Sequence, residues 1–384
     1  MKIKLIILGS TGSIGKSTLQ VVKKYSSKIE IVCLSANKNI KLILEQSKKF
    51  KVKNLIIHNN KNYLKLKNKK IKKINIYNNI DQYIKKNKKV VDNVIIGISG
   101  FDGLEPTLKI IPYTKTISSA NKESILCGWE LINDKLKNFN TNFIPLDSEH
   151  FSIYNLIKSK EKISKIYLTA SGGPFLYKSN SMIKNVKAKD AIKHPNWKMG
   201  KKISIDSATM MNKLFEIIEA IKIFNIPKKK FEIIVHPQSY IHAIVDFANG
   251  YSKFLAHDTN MQIPIFNSIF SKNNETFFNK TKLNLKVINK LSFLKPNISK
   301  YPFLKLFKKI KSKNSYFEII LLTINDYLVD LYLNNKIRYK QFQYILLNII
   351  NDPYFKKFYN KSPKKYHDLQ NMINIVNSYL KRNL

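Results

Sequence analysis

The stretch IKLIILGSTGSIG, residues 3–15, decides the first half of the fold. Its apolar run reads as a buried strand. GSTGSIG then places Gly9, Gly12 and Gly15 in a GxxGxxG spacing directly after it. Glycines permit a tight turn and close backbone approach to a pyrophosphate, and a following helix N-terminus offers free N–H groups and a favourable dipole. A ligand-free tight turn would use the same residues, but the position right behind an apolar strand favours a dinucleotide site. Working outward, residues 15–25 read as a helix. Residues 30–36, 54–58, 91–98, 115–120 and 142–147 read as further short strands separated by helix-like segments. Strands alternating with helices predict parallel βαβ units, an α/β doubly wound domain over residues 1–149. Residues 60–89, rich in Lys and Asn, read as surface helix and loop.

The end of the second strand, Leu34-Ser-Ala-Asn37-Lys38-Asn39, carries no carboxylate. NAD sites usually place Asp or Glu there for the ribose 2′-hydroxyl. Hydroxyl, amide and lysine groups suit a 2′-phosphate instead, so NADPH is expected over NADH.

Composition narrows the function classes. The chain has 384 residues, enough for two or three domains, and 44% of them are hydrophobic, which argues against disorder. Cys33 and Cys127 cannot form a disulfide framework, so a reduced, cytoplasmic setting is expected. Lys and Arg total 68 against 25 acidic residues, a formal charge of +43, but only Arg338 and Arg382 are arginine. Base-reading proteins depend on bidentate arginine. Scattered lysine beside abundant Asn and Ile reads as drift of composition, and no specific nucleic-acid partner is expected. The apolar run at the N-terminus is too short for a signal peptide, and no stretch approaches a membrane span.

The middle third, residues 150–271, reads as an α+β domain: a strand entering SGGPF at 171–175, a polar loop HPNWKMGKK at 194–202, a buried helix at 213–224, and strands joined through Ala248-Asn249-Gly250. Residues 272–300 read as an extended linker. In residues 301–384 apolar positions recur at helical spacing, predicting a C-terminal helical domain.

Two constellations carry chemistry. Asp147 and Glu149, in LDSEH at 146–150, are two apart, so extended backbone would turn both carboxylates to one side. Hard oxygen ligands suit Mg²⁺ or Mn²⁺. A solvated acidic turn would give the same pattern. Glu216 and Glu219 compete for a third ligand, and His150 reads as a ligand or a helix cap. The second constellation is Ser171 with the adjacent glycines, together with Ser207, Asn212 and Lys213 around a helix start, where hydroxyl, amide and ammonium donors make an anion site. His194, Trp197 and Met199 lie between Pro195 and Gly200 as possible hinges, a pattern suited to a lid over substrate.

Taken in order, GSTGSIG (9–15), SANKES (119–124), LDSEH (146–150), SGGPF (171–175), HPNWKMGKKISIDSATMMNK (194–213) and HPQS (236–239) resemble the 1-deoxy-D-xylulose 5-phosphate reductoisomerases along nearly the whole chain. The resemblance implies NADPH- and divalent-metal-dependent rearrangement and reduction of a small phosphorylated sugar, 1-deoxy-D-xylulose 5-phosphate, to 2-C-methyl-D-erythritol 4-phosphate. It also implies a homodimer. It selects Glu216 over Glu219 as the ligand beside Asp147 and Glu149. It puts Ser171, Ser207, Asn212 and Lys213 on the phosphate, Lys122 and Ser148 by the reacting end, and His194 and Trp197 on substrate in a mobile loop. It implies cofactor contacts at Thr11, Gly12, Ser13, Ile14, Lys38, Asn39, Asn121 and Glu123, within the Gly9–Gly15 turn and beyond it. Met199 and Gly200 fall on the cofactor side, and Met261 near the nicotinamide or substrate. Three departures stand out: Asn37 where the family usually has Gly, residues 256–261 where it reads close to QLGxPDM, and Thr323-Ile-Asn-Asp326 where it reads close to NAANE.

Overall fold

A computed structural model describes residues 1–69, 73–158, 161–197, 199–278, 283–311 and 315–384. Parts of the stretches read above as surface loop (70–72), central domain (159–160 and 198), linker (279–282) and helical domain (312–314) therefore lie outside the described residues. The chain forms two compact units. Unit 1 is Met1–Ser124, Glu130–Phe151 and Asn260–Lys282; unit 2 is Ile125–Trp129, Ser152–Thr259 and Leu283–Leu384.

The first 156 residues run β1 (Ile3–Leu8), α1 (Ser13–Lys24), β2 (Ile29–Ala36), α2 (Ile40–Phe50), β3 (Asn54–Ile57), α3 (Asn60–Asn68), β4 (Asn75–Tyr77), α4 (Ile80–Lys86), β5 (Asn93–Ile96), α5 (Leu104–Ile110), β6 (Thr116–Ser119), α6 (Lys122–Asn138), β7 (Asn142–Pro145) and α7 (Ser148–Leu156). The seven strands form one sheet in the order β4-β3-β2-β1-β5-β6-β7, and each neighbouring pair is parallel. The order reverses at β1/β5, which puts the glycine turn after β1 at the switch point, where open α/β sheets bind ligands. The stretch 60–89 is not only helix and loop. It contains the edge strand β4, whose three residues are too few to show a period. β1, β3 and β5 are buried on both faces, as expected of strands covered by helices on either side.

Unit 1 also takes α12 (Gln262–Ile269) from far along the chain, and this helix packs on α1. Ile265, Phe266 and Ile269 are buried in the same cluster as Leu5, Val21 and Leu34. Each such side chain contributes about 1.5–3 kcal/mol on burial. Tyr25 sits against Phe266 and Phe270, with ring centroids 5.3 and 5.0 Å away.

Unit 2 holds β8 (Ile163–Ala170), α8 (Asn180–Ile183), α9 (Ala188–Ala191), α10 (Lys201–Ala208), α11 (Met211–Phe224), β9 (Phe231–Val235), β10 (Ile241–Phe247) and β11 (Ser252–Ala256). After α12 it continues with α13 (Leu285–Ile288), α14 (Tyr316–Leu333), α15 (Tyr339–Ile349), α16 (Pro353–Lys356) and α17 (Tyr366–Asn383). Its sheet runs β11-β10-β8-β9, with β9 parallel to β8 and the other pairs antiparallel. The Ala-Asn-Gly turn does join β10 to β11. α11 is buried on nearly every face, as its apolar sequence predicts. Ser315 and Glu318 close a reciprocal capping box at the start of α14, the unit's long apolar helix. Among the described residues no helix is long and apolar enough to cross a membrane.

Candidate active site

The three glycines of the turn after β1, Gly9, Gly12 and Gly15, are not equivalent. Gly9 has φ +86°, and a Cβ there would lie 2.6 Å from the Gly97 carbonyl carbon. A Cβ on Gly15 would lie 2.4 Å from the Ser10 Cα. Both are required by the packing of turn, helix and strand. A Cβ on Gly12 would meet nothing closer than 3.4 Å. Gly12 is the N-cap of α1 and supplies no side-chain cap, so the first N–H groups of the helix remain available to an anion. Sequence reasoning missed what holds this turn. Ser35 Oγ accepts from Gly9 N–H at 2.9 Å, and Ser10 Oγ donates to Gln46 Oε1 at 2.8 Å. Gln46 Nε2 in turn donates to the Ser10 carbonyl at 3.0 Å. Gly15→Ala is therefore expected to lower stability by roughly 1–3 kcal/mol through overpacking. Gly12→Ala should melt close to the parent yet bind the dinucleotide more weakly. Thermal melts with a cofactor titration on both variants check this.

Beyond β2, Asn37 and Lys38 are exposed and Asn39 caps α2, accepting from Leu42 N–H at 3.1 Å. Asn37 is not among the residues with positive φ, so the turn does not require the family's glycine at this position. Asn121 is buried and its side chain is fully engaged. Nδ2 donates to the Ile98 and Gly100 carbonyls at 2.5 and 2.8 Å, and Oδ1 caps α6 through Ser124 N–H at 2.6 Å. It therefore ties the loop after β5 to the start of α6. Met261 packs on the unit 1 core.

At the end of β7 the backbone departs from the extended form expected across Asp147 and Glu149. Asp147 precedes α7 and its Oδ1 accepts from Glu149 N–H at 3.2 Å, so it acts as the helix cap and Glu149 falls in the first turn. The physical reason is capping: a carboxylate before a helix satisfies an orphan N–H group and the helix dipole favours it. His150 is thus not the cap. It is buried, with Nδ1 3.4 Å from Asp147 Oδ1. Lys122 Nζ, at the start of α6, donates to Asp147 Oδ2 at 3.1 Å, and Ser148 Oγ donates to Glu149 Oε2 at 2.5 Å. Unit 1 therefore presents two carboxylates, a hydroxyl and an ammonium at two adjacent helix starts.

Unit 2 gathers the second constellation. β8 runs into Ser171 and two glycines with φ +81° and +67°. A Cβ on Gly173 would come within 3.0 Å of the Ser207 carbonyl oxygen, so glycine lets this turn approach the end of α10. His194 Nδ1 accepts from Asn196 and Trp197 N–H at 3.2 and 3.0 Å. Nδ1 is then unprotonated, so Nε2 carries the hydrogen and donates to Ser171 Oγ at 2.9 Å. Ser171 Oγ also accepts from Gly173 N–H at 3.1 Å. With its acceptor positions used, the Ser171 hydroxyl is oriented to donate outward, as an anion site needs.

Burial, and then the Lys213 charge, push the His194 pKa down to about 4. His194 is neutral across the physiological range and serves as a fixed donor. Burial and the neighbouring His242 push His257 down to about 3. The unfolded chain binds more protons than the folded one between these values and about 6.5, so stability should fall as pH drops from about 6.5 towards 4. Chemical denaturation across that range should show the loss, and His194→Gln should reduce its slope.

Asn212 and Lys213 lie in the first turn of α11, and both reach the Glu216 carboxylate, Asn212 through Nδ2 and Lys213 through Nζ. Lys213 is 4% and Glu216 1% exposed. Glu219 is equally buried, one turn on, so burial does not separate the two competitors. Met210, the residue before α11, holds φ +62° and gives no side-chain cap, leaving the helix N-terminus open. A Cβ on Gly200 would meet open space, and Met199 is half-buried.

Further partners escaped sequence reasoning because they are distant in the chain. Asn196 Nδ2 donates to the Pro237 carbonyl and to Ser239 Oγ at 2.7 and 2.8 Å, which gives the HPQS motif its task of anchoring the loop. Trp197 meets His242 edge-on with centroids 6.1 Å apart, and His242 stacks on His257 at 3.9 Å. At the NAANE-like departure, Asn325 Nδ2 donates to buried Asp206 at 2.8 Å and Asp326 pairs with Lys202 at 2.8 Å, so both residues still support α10.

A doubly wound sheet with a glycine turn at its switch point, in one chain with a unit whose α11 start is uncapped and carries Asn212 and Lys213, has the plan of a dinucleotide-dependent oxidoreductase built from two units. Comparison with known proteins narrows this. A family model described as 1-deoxy-D-xylulose 5-phosphate reductoisomerase matches residues 5–128, and two models of its C-terminal domains match residues 143–224 and 257–379. The protein of that name from Pelagibacter ubique (strain HTCC1062) is 48% identical over 378 residues, covering 97% of both chains. That from Persephonella marina is 35% identical over 95% of this chain and 94% of its own. The solved structure of the enzyme from Zymomonas mobilis in complex with NADPH is similar over the full length of both chains, with a TM-score of 0.88 at 30% identity. A DOX-P reductoisomerase in complex with NADPH, fosmidomycin and magnesium gives 0.90 at 29% identity, over 99% of this chain and 98% of that one. The chain belongs to the 1-deoxy-D-xylulose 5-phosphate reductoisomerase family.

Proposed function

We infer that this protein converts 1-deoxy-D-xylulose 5-phosphate to 2-C-methyl-D-erythritol 4-phosphate with NADPH and Mg²⁺ or Mn²⁺, a step of isoprenoid precursor synthesis. The observation that carries the reading is the 48% identity over 97% of the chain to a protein of that name, together with the motif residues in their elements. When bound, NADPH supplies the hydride and the divalent cation polarises substrate oxygens.

The residues present fit both groups. Gly9, Thr11, Gly12, Ser13, Ile14 and Gly15 would cradle the pyrophosphate, because the start of α1 is uncapped and Gly12 leaves room beside it. Exposed Lys38 and Asn39 suit a 2′-phosphate. Glu123, Met199 and Gly200 remain on the cofactor side in this reading, and Asn121 acts there by shaping the loop. In this reading Asp147, Glu149 and Glu216 would supply the hard-oxygen ligands of one cation. Glu216 is already paired with Lys213 and is no more buried than Glu219, so its place in the set rests on its position in the motif after Met211-Asn212-Lys213.

The chain's own residues do the rest. Ser171, Ser207, Asn212 and Lys213 bind the substrate phosphate. Binding energy from that non-reacting end orients the reacting carbons. Lys122 holds its ammonium beside Asp147 and can place a proton or a hydrogen bond on a substrate oxygen, with Ser148 alongside. Neutral His194 fixes the Ser171 hydroxyl, and Trp197 covers the substrate and excludes water.

We also propose a homodimer, supported by the edge strand β11. Among the described residues it pairs on one side only, and Phe254 on it is 53% exposed. Phe254→Lys should shift a dimer towards monomer in sedimentation; an unchanged dimer would place the contact elsewhere. A cytoplasmic location accords with Cys33 and Cys127, both buried and outside any disulfide. The reading of the site as a whole is tested by substrate-dependent NADPH oxidation.

A further inference from the structure

We propose that unit 2 carries a second anion site, separate from the substrate-phosphate pocket, that takes a small polyphosphate anion and reports on the segment holding His194 and Trp197. A cleft of about 810 Å³ is lined by Lys187, Lys189, Ile192, Lys201, Asp330 and Arg338 among others. None of Ser171, Ser207, Asn212 and Lys213 lines it. Four cations from three separate segments thus face one carboxylate, and Asp330 Oδ1 already accepts from Asn334 Nδ2 at 3.2 Å.

Lysine at such a surface follows from composition alone; arginine does not. Arg338 is one of two arginines in a chain with 68 basic residues. A guanidinium gives a rigid planar fork of donors that matches phosphate oxygens, which an ammonium cannot reproduce. Its position is also preorganised. Tyr339 OH, the next residue, donates to the Ala208 carbonyl at 2.7 Å, and Tyr332 OH donates to the Val186 carbonyl at 2.9 Å. These bonds pin α14 and α15 to the segments that carry Lys187, Lys189 and Lys201. Ile192 and Lys201 bracket residues 193–200, so an occupant of the cleft touches both ends of the stretch with His194 and Trp197. That coupling rests on the reading of this stretch as substrate-facing; the binding site itself does not.

Calorimetric titration of the NADPH-saturated full chain, whose glycine turn is then occupied, with inorganic pyrophosphate, in EDTA and at physiological salt, tests the site. One saturable event is expected. It should survive in Ser171→Ala/Ser207→Ala and weaken at least tenfold in Arg338→Gln/Lys189→Gln, which should keep basal turnover. Intrinsic fluorescence should change on binding in the parent and not in Trp197→Phe. Absence of binding would overturn the proposal. So would binding that persists in Arg338→Gln/Lys189→Gln, or that disappears with the two serines. A titration in which Lys85→Gln/Lys86→Gln on α4 weakens binding as much as the cleft variant would also overturn it, since binding would then follow overall charge. Failure of any of these leaves NADPH oxidation unaffected, so it is distinguishable from failure of the activity reading.

Discussion

Asp147→Asn abolishes metal-dependent turnover, with kcat/KM expected to fall by a factor on the order of 10³ or more, while NADPH affinity stays close to that of the parent. The argument is local. Asp147 contributes one full charge to the proposed donor set, receives Lys122 at 3.1 Å and caps α7. Asparagine can keep the cap through its own oxygen, so the helix start and the glycine turn survive. What disappears is the charge that would hold a cation and that keeps the Lys122 ammonium in place. A loss of one transition-state electrostatic contact is worth roughly 2.7–4 kcal/mol, or 10²–10³ in rate, and losing a metal costs more. Steady-state rates at several Mg²⁺ concentrations, with a separate NADPH titration, check this. Turnover near the parent's at low metal would remove Asp147 from the donor set.

Lys213→Ala has the second largest expected effect, and it is double. Lys213 and Glu216 are both buried and paired. Removing one partner of a buried ion pair leaves an uncompensated charge and costs about 3–5 kcal/mol. The variant should therefore be markedly less stable. It should also lose substrate affinity through the phosphate. Lys213→Ala/Glu216→Gln separates the two effects, because neutralising Glu216 removes the orphan charge. The double variant should regain most of the lost stability in urea unfolding yet remain inactive. If it is as unstable as the single variant, the pair does not account for the burial of either group.

These predictions depend on features that were unequally legible in the sequence. The glycine turn, the parallel strands and the apolar helix, read as 213–224 and found over Met211–Phe224, were legible because their signals are local: a period, a turn residue, an apolar run. The family motifs gave the candidate ligands by residue type. The geometry that makes them work was not legible, because it depends on long-range partners. No local signal says that Gln46 bonds to Ser10, that Asn196 reaches Pro237 and Ser239, or that Asn325 holds Asp206. The edge strand β4 was lost in a Lys- and Asn-rich stretch because three residues show no period. The return of α12 to the unit 1 core rests on tertiary contacts, with α1 and with the strands beneath it. The two-residue spacing of Asp147 and Glu149 suits an extended strand, whereas Asp147 caps the start of α7. An Asp-Ser-Glu stretch before an apolar run is an N-terminal helix signal.

The departures from the family are also clearer in the fold. Asn37 needs no left-handed backbone, and the Thr323–Asp326 stretch still supplies two contacts to α10. Residues 256–261 keep a buried histidine, His257, stacked on His242. None of these substitutions removes a side chain that the proposed chemistry uses.

The most direct test follows NADPH absorbance while the purified protein receives 1-deoxy-D-xylulose 5-phosphate, with Mg²⁺, with Mn²⁺ and with metal removed by EDTA. The account predicts oxidation of one NADPH per substrate consumed, only when a divalent metal is present, with 2-C-methyl-D-erythritol 4-phosphate as product. A folded, NADPH-binding sample that leaves the absorbance unchanged with either metal, or that oxidises NADPH equally well in EDTA, would contradict it.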